Sequence, residues 1–182
     1  MSLLSYHRLR ELVNEGVINA PVENINGSSI DITLGNEILI EAHHGFCYGV
    51  VDLKEKESLK MSKKLLPEEG YPLLPNDFIL ATSQETFNLP SHISAEYKLK
   101  SSLARSGLEH LMAGWCDPGW NNSKLTLELK NLTRHHQLLL RPGMKIGQVV
   151  FWECEPVPDH ADYGKVGQYN GQETVQGSKG VR

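Results

Sequence analysis

The side chains best able to do chemistry are gathered between Lys98 and Asn131. Ser101-Ser102-Leu103-Ala104-Arg105-Ser106-Gly107-Leu108 reads as a short helix capped by a serine and stopped by Gly107, with Lys100 just before it. A serine hydroxyl, free backbone N–H groups and a lysine at a helix start suit a phosphate group. Taken alone, the segment fits an ordinary capped helix beside a solvated lysine better. Next comes Ala113-Gly114-Trp115-Cys116-Asp117-Pro118-Gly119-Trp120, a turn-rich stretch that sets an acid between two aromatics. Asp117 is either a plain turn residue or an acceptor for a sugar hydroxyl, with the aromatics lying against a base or ribose. In Leu125-Thr126-Leu127-Glu128-Leu129, strand alternation sends the leucines to one face and Thr126 with Glu128 to the other. The leucine face belongs in a core, so Glu128 projects into solvent, the default for a lone glutamate, or into a cleft.

Other chemistries lack their residues. Zinc deaminases place a His or Cys ligand next to a catalytic Glu and follow it with P-C-x-x-C, and neither element is present. Of the eight histidines, His43-His44 and His135-His136 are adjacent pairs, and neighbours on a strand point to opposite faces, where they cannot easily share a metal. No G-x-S-x-G elbow, P-loop or dinucleotide fingerprint occurs. Cys47, Cys116 and Cys154 are odd in number and far apart, which reads as reduced and structural.

These groups need a frame. Ser5 can cap a helix whose Leu9, Leu12 and Val13 share a face and which ends at Gly16. Ile30, Ile32 and Leu34 alternate with Asp31 and Thr33, Gly35-Asn36 reads as a turn, and Glu37–Ile40 resumes as strand, so a hairpin is expected. Lys54–Glu69 is rich in Lys and Glu and reads as a solvated excursion, left through Pro67, Pro72 and Pro75. Beyond it, Phe78–Thr82, Ile93–Leu99, Leu125–Leu129, Leu138–Leu140 and Ile146–Trp152 are short apolar runs separated by Pro, Gly or Asn. That spacing signals an all-β sandwich or barrel. Residues 1–163 make one domain, and Gly164–Arg182, rich in Gly and Gln, cannot pack a core alone and reads as a flexible tail.

A formal charge of −4 with scattered basic residues gives no footprint for a nucleic-acid polymer. Met1–Arg10 has no apolar stretch of signal-peptide length and no segment approaches a membrane span, which points to a cytoplasmic protein.

Taken together, the pieces resemble the dCTP deaminase family of the dUTPase-like superfamily. The blocks are Ile25–Gly35, Lys100–Arg105, Ala113–Gly119, Thr126–Glu128, Arg141–Gln148 and Tyr169–Gln172. The resemblance implies a mainly β fold: a distorted β-barrel or jelly roll with a short N-terminal helix and a short helix at the phosphate site. It also implies a homotrimer with active sites at subunit contacts.

By the same resemblance, Lys100, Ser101, Ser102 and Arg105 hold the nucleotide, with Ser101 and Arg105 at its reacting end. Asp117 holds the deoxyribose, Trp115 lies against the nucleotide, and Thr126 with Leu127 lines the base pocket. Gln148, Tyr163 and Gln172 contact the triphosphate, as does the position of Gln168, where Lys is common, and the tail closes over bound nucleotide. Magnesium rides on the phosphates, and zinc has no part. Glu128 becomes the general base for water attack at carbon 4 of cytosine, Arg105 orients it, and the Ala113 carbonyl positions the water. Gly114-Trp115 with Gln148 is similar to the type that carries dCTP through dUTP to dUMP and pyrophosphate, and Met112 stands where the family usually has Thr, a position linked to control by dTTP. The rival readings are a deaminase stopping at dUTP, a plain dUTPase, a deaminase of a modified cytosine nucleotide, and a non-catalytic jelly-roll trimer.

Overall fold

The computed structural model describes residues 2–42, 49–55 and 58–180. Leu9 and Leu12 lie on one face of helix α1 (Tyr6–Asn14) and are fully buried, which docks the helix on the core. The helix stops at Gly16, whose φ of +75° is left-handed, as the sequence implies, although the Ser5 side chain makes no capping bond.

The expected hairpin at Gly35-Asn36 is instead one strand, β2 (Ile30–Glu41). Its first half pairs with β11 (Lys145–Glu153), and its second half with β3 (Met61–Leu65) and β5 (Phe78–Phe87). Gly35 is required by a close crossing rather than by a turn: a Cβ there would stand 2.8 Å from the Thr82 carbonyl oxygen. The β2 register against β5 breaks between Leu34 and Ile38. The buried Glu85 carboxylate serves the unpaired backbone beside the break, accepting from the Thr33 N–H at 3.1 Å and from its hydroxyl at 2.6 Å.

The other strands are β1 (Ser2–Leu3), β4 (Tyr71–Leu73), β6 (Ile93–Leu99), β7 (Leu108–Glu109), β8 (Trp115–Cys116), β9 (Ser123–Asn131) and β10 (Leu138–Leu140). The main sheet runs β7-β9-β5-β2-β11-β6-β8, with β1 joined to β11 and β3 to β2, while β4 and β10 pair separately. It is antiparallel throughout and curls into a half-barrel whose inner faces share one core, including Ile30, Ile32, Phe87, Ile93, Leu129 and Phe151. The mainly β expectation holds. The Lys54–Glu69 excursion is corrected in part, because it contains β3, an exposed edge strand whose lysines suit an unpaired edge.

Helix α2 (Ser101–Arg105) is a single turn whose N-cap is Lys100 rather than a serine, with no side-chain capping bond. Strand β11 carries a bulge: Lys145 faces Thr33 and Gly147 faces Ile32, leaving Ile146 as the extra residue. Cys116 and Cys154 are free thiols; Cys47 and the His43-His44 pair lie outside the described residues. No helix among the described residues is long and apolar enough to cross a membrane.

Candidate functional site

A cleft of about 500 Å³ opens where β9 and β5 meet the loop leading into β8 and the C-terminal segment. Strand β9 alternates as its sequence dictates: Leu125, Leu127 and Leu129 are buried, and Thr126 and Glu128 are half-buried on the cleft face. Glu128 lies opposite Leu80 across the β5–β9 ladder, and Leu59, Met61 and Phe78 continue the apolar wall. Loss of solvent among these groups pushes the Glu128 carboxyl up to about 7, where it is half ionised at neutral pH.

The segment before β8 supplies Ala113, Trp115 and Asp117 to the cleft. Its backbone is tightly turned, with Leu111 at φ +54° and Met112 at φ +58°, conformations costly for residues with a Cβ. The Trp115 indole N–H donates to an Asp117 carboxylate oxygen at 2.9 Å, and the Trp115 ring lies 5.9 Å from that of Trp152. Trp120 turns inward, packs on Phe87 and donates to the Tyr169 carbonyl at 3.0 Å, so it ties the tail to the cleft wall that it also lines.

The C-terminal segment reaches the cleft through Tyr169, Gln172, Gln176, Gly177 and Ser178. Gln172 is only 3% exposed; its side chain donates to the Thr126 hydroxyl at 2.5 Å and to the Lys124 carbonyl at 3.3 Å, while the Lys124 N–H donates to the Gln172 carbonyl at 2.7 Å. Gln172 thus acts as an added partner along β9. Tyr163, in the short helix α3 (Tyr163–Val166), also lines the cleft.

The cleft therefore gathers Glu128, Ala113, Trp115, Asp117, Thr126, Tyr163 and Gln172. Seven other expected residues, Lys100 among them, lie elsewhere in this chain. Leu127 is buried in the core opposite Ala81, so its side chain does not reach the cleft. Ser101, Ser102 and Arg105 are exposed on α2. Gln168 donates to the Gly180 carbonyl at 3.0 Å. Gln148 sits on β11 opposite Asp31 and Lys98.

Around Gln148 is a second polar group that sequence reasoning overlooked. The buried Asp31 carboxylate accepts from Lys100 Nζ at 2.7 Å, from Lys145 Nζ at 3.0 Å and from the Asn26 side-chain amide at 3.0 Å. Burial alone would raise the Asp31 carboxyl, but these donors outweigh it and hold the group below the usual carboxylate range. Alternation between Ile30 and Ile32 already put Asp31 on the opposite face from the core; its burial beneath two lysines had no local signal. The apolar wall around Glu128 was equally silent, since it is assembled from β3 and β5. Among the described residues, no three His, Cys, Asp or Glu side chains converge as ligands for a metal.

The dCTP deaminase-like family model matches residues 3–154. A protein of Sulfurihydrogenibium sp. named dCTP deaminase, dUMP-forming, is 33% identical over 181 residues, which cover 97% of this chain and 96% of that one. Its namesake from Aquifex aeolicus is 36% identical over 180 residues, covering 97% and 94%. The crystal structure of 2'-deoxycytidine 5'-triphosphate deaminase from Agrobacterium tumefaciens superposes with a TM-score of 0.65 at 18% identity. That superposition covers 93% of this chain and 54% of the Agrobacterium chain, so this chain spans about half its length and the likeness is one of fold.

Proposed function

The chain belongs to the dCTP deaminase-like family, and from that premise we propose that it is an enzyme that deaminates dCTP and then hydrolyses the triphosphate to release dUMP and pyrophosphate. The carrying observation is Glu128, a half-buried carboxylate against an apolar wall with its carboxyl near 7. A base of that strength is ionised often enough at neutral pH to take a proton from water, and its conjugate acid is strong enough to return one. Water attacks carbon 4 of cytosine as Glu128 accepts its proton; the amino group leaves as ammonia after Glu128 gives the proton back. The reading assigns activation of water to this carboxylate rather than to zinc.

The neighbouring groups suit supporting roles. Ala113 lines the same cleft, and its carbonyl would accept a hydrogen bond from the attacking water. Asp117 is exposed at the rim, available to the deoxyribose hydroxyl, and the exposed Trp115 offers a ring face to the nucleotide. Thr126 and the Leu127 backbone would meet the base, with the Thr126 hydroxyl exchanging its bond to Gln172 for one to the pyrimidine. Tyr163, Gln168 and Gln172 are carried by the C-terminal segment, which would close over the triphosphate.

Ser101, Ser102 and Arg105 do not line the cleft of their own chain. In a homotrimer with sites at subunit contacts, the α2 of a second copy would bring them, with Lys100 and Gln148, to the nucleotide. Arg105 would then face Glu128 and hold its carboxylate for proton transfer. Magnesium would arrive on the phosphates as part of the substrate. Such an enzyme works in the cytoplasm, where its nucleotides are made.

The test is incubation with dCTP and magnesium, with separation of the nucleotides and assay of ammonia and pyrophosphate. Ammonia with dUMP and pyrophosphate is the expected result. Ammonia with dUTP alone would confine the enzyme to the first step, and cleavage of dUTP without release of ammonia from dCTP would remove Glu128 from the role of deamination base.

A further inference from the structure

We propose that Lys145, aimed by the β11 bulge and paired with Lys100 on Asp31, is a binding residue for the polyphosphate chain of the substrate. The inference rests on the reading of this protein as a nucleoside triphosphate enzyme and adds a residue to it.

The geometry begins with the bulge. In a regular strand, Lys145 and Gly147 would point the same way, and Gly147 is buried on the inner face opposite Ile32. The extra residue Ile146 reverses Lys145, which instead faces Thr33 on the outer side. There its ammonium reaches the same carboxylate as Lys100, one lysine on each Asp31 oxygen. The bulge also ties the two lysines through the backbone, since the Lys100 N–H donates to the Ile146 carbonyl at 3.3 Å. Bulges recur where a strand must re-aim one side chain, and the side chain re-aimed here is a cation.

The surroundings favour an anion. Two ammonium groups share one carboxylate, so the group as a whole carries one positive charge in excess. Asp31 is the hidden member, with its side chain 6% exposed, whereas that of Lys100 is 30% exposed and that of Lys145 46% exposed. The cations are therefore fixed from below and open from above. Gln148 stands beside them in register with Asp31, its carbonyl oxygen accepting from the Ser29 hydroxyl at 3.3 Å, so its amide N–H groups add donors to the same face. A polyphosphate suits this arrangement better than a single phosphate, because the donors are spread over two positions of β11 and the segment before α2.

The test uses the full-length protein with dCTP, inorganic tripolyphosphate and orthophosphate as probes, measured by calorimetry, and steady-state kinetics on dCTP. Lys145→Met keeps the aliphatic stem and leaves Asp31 paired with Lys100, so the fold should survive; Lys145→Arg keeps the charge. We expect Lys145→Met to weaken dCTP and tripolyphosphate about tenfold, the scale of one charge-assisted hydrogen bond. KM for dCTP should rise by the same factor, kcat should change far less, and Lys145→Arg should recover most of the affinity. Orthophosphate should bind weakly and be indifferent to both changes. Lys64→Met, on the exposed edge strand β3, controls for loss of bulk charge. The proposal is overturned if Lys145→Met binds tripolyphosphate and dCTP as tightly as Lys64→Met does. If the unaltered protein releases no ammonia from dCTP yet loses tripolyphosphate with Lys145→Met, the deaminase reading fails while the polyphosphate assignment stands. If ammonia is released with an unchanged KM in Lys145→Met, the reverse holds.

Discussion

Glu128 and Asp31 are carboxylates on strands of one sheet, separated in its order only by β5, yet their surroundings drive them apart. Glu128 faces Leu80 and an apolar wall, and its carboxyl is pushed up to about 7. Asp31 exposes even less surface to solvent, but two lysines and an amide hold it ionised, below the usual range. Depth of burial alone does not set acidity; the partners that accompany the group decide the sign. One carboxylate is left able to exchange a proton near neutral pH, and the other is committed to being an anion that organises cations.

The largest consequence of this contrast should be kinetic. Glu128→Gln is expected to lower the deamination rate by about a hundredfold or more, the usual contribution of a general base. In the unaltered protein, kcat should rise with pH through about 7 as the base ionises, and the residual rate of Glu128→Gln should lose that rise. A rise centred near 4.5, the ordinary glutamate value, would show that the apolar wall does not act on Glu128 in solution.

Asp31→Asn tests the other side through stability. Asp31 has a depressed folded-state pKa, so its ionised form stabilises the fold above the unfolded value of 3.8 and that contribution disappears as the pH falls through the folded value. The variant leaves two lysines facing each other and should cost about 3 kcal/mol at pH 7, a loss that shrinks as the pH falls below 3.8. Denaturant melts at several pH values measure it, and a penalty independent of pH would mean that the amide cannot replace the carboxylate for reasons of shape alone.

A smaller effect with the opposite sign belongs to Glu128. Its folded-state pKa lies above the unfolded 4.5, so ionising it weakens the fold as pH rises from 4.5 to about 7, after which the penalty is constant. Glu128→Gln should therefore melt at about the same temperature as the unaltered protein at pH 4 and several degrees higher at pH 8, where the unfavourable ionisation has been removed. Thermal melts at the two pH values check it. Lost activity with gained stability would identify a carboxylate placed for chemistry.

Much of this was legible in the sequence, because the signals were local. Period-two alternation in Leu125–Leu129 gave the face of Glu128, and the positions of Leu9, Leu12 and Gly16 gave α1 and its end. Gly35 misled because a glycine at a close crossing reads like one in a turn; only Thr82, distant in sequence, distinguishes them. The cluster under Lys100 depended on a bulge, and nothing in Met144-Lys145-Ile146-Gly147 announces which residue will be left unpaired. Likewise, Gln172 reads as part of a polar tail until β9 supplies the backbone and side-chain partners that bury it.

Strand β2 ties the two carboxylates together in a way that bears on how the chain can change its length. Near its start it carries Asp31, and over Ile38–Ile40 it pairs with β5, the strand that holds β9 and Glu128. Because side chains alternate with every residue, adding or deleting one position between Asp31 and Ile38 would turn one half of the strand inside out relative to the other. Inherited insertions should therefore be absent from this interval, and the distance between the proton-exchanging end of the molecule and its cationic face becomes a fixed unit, altered only as a whole.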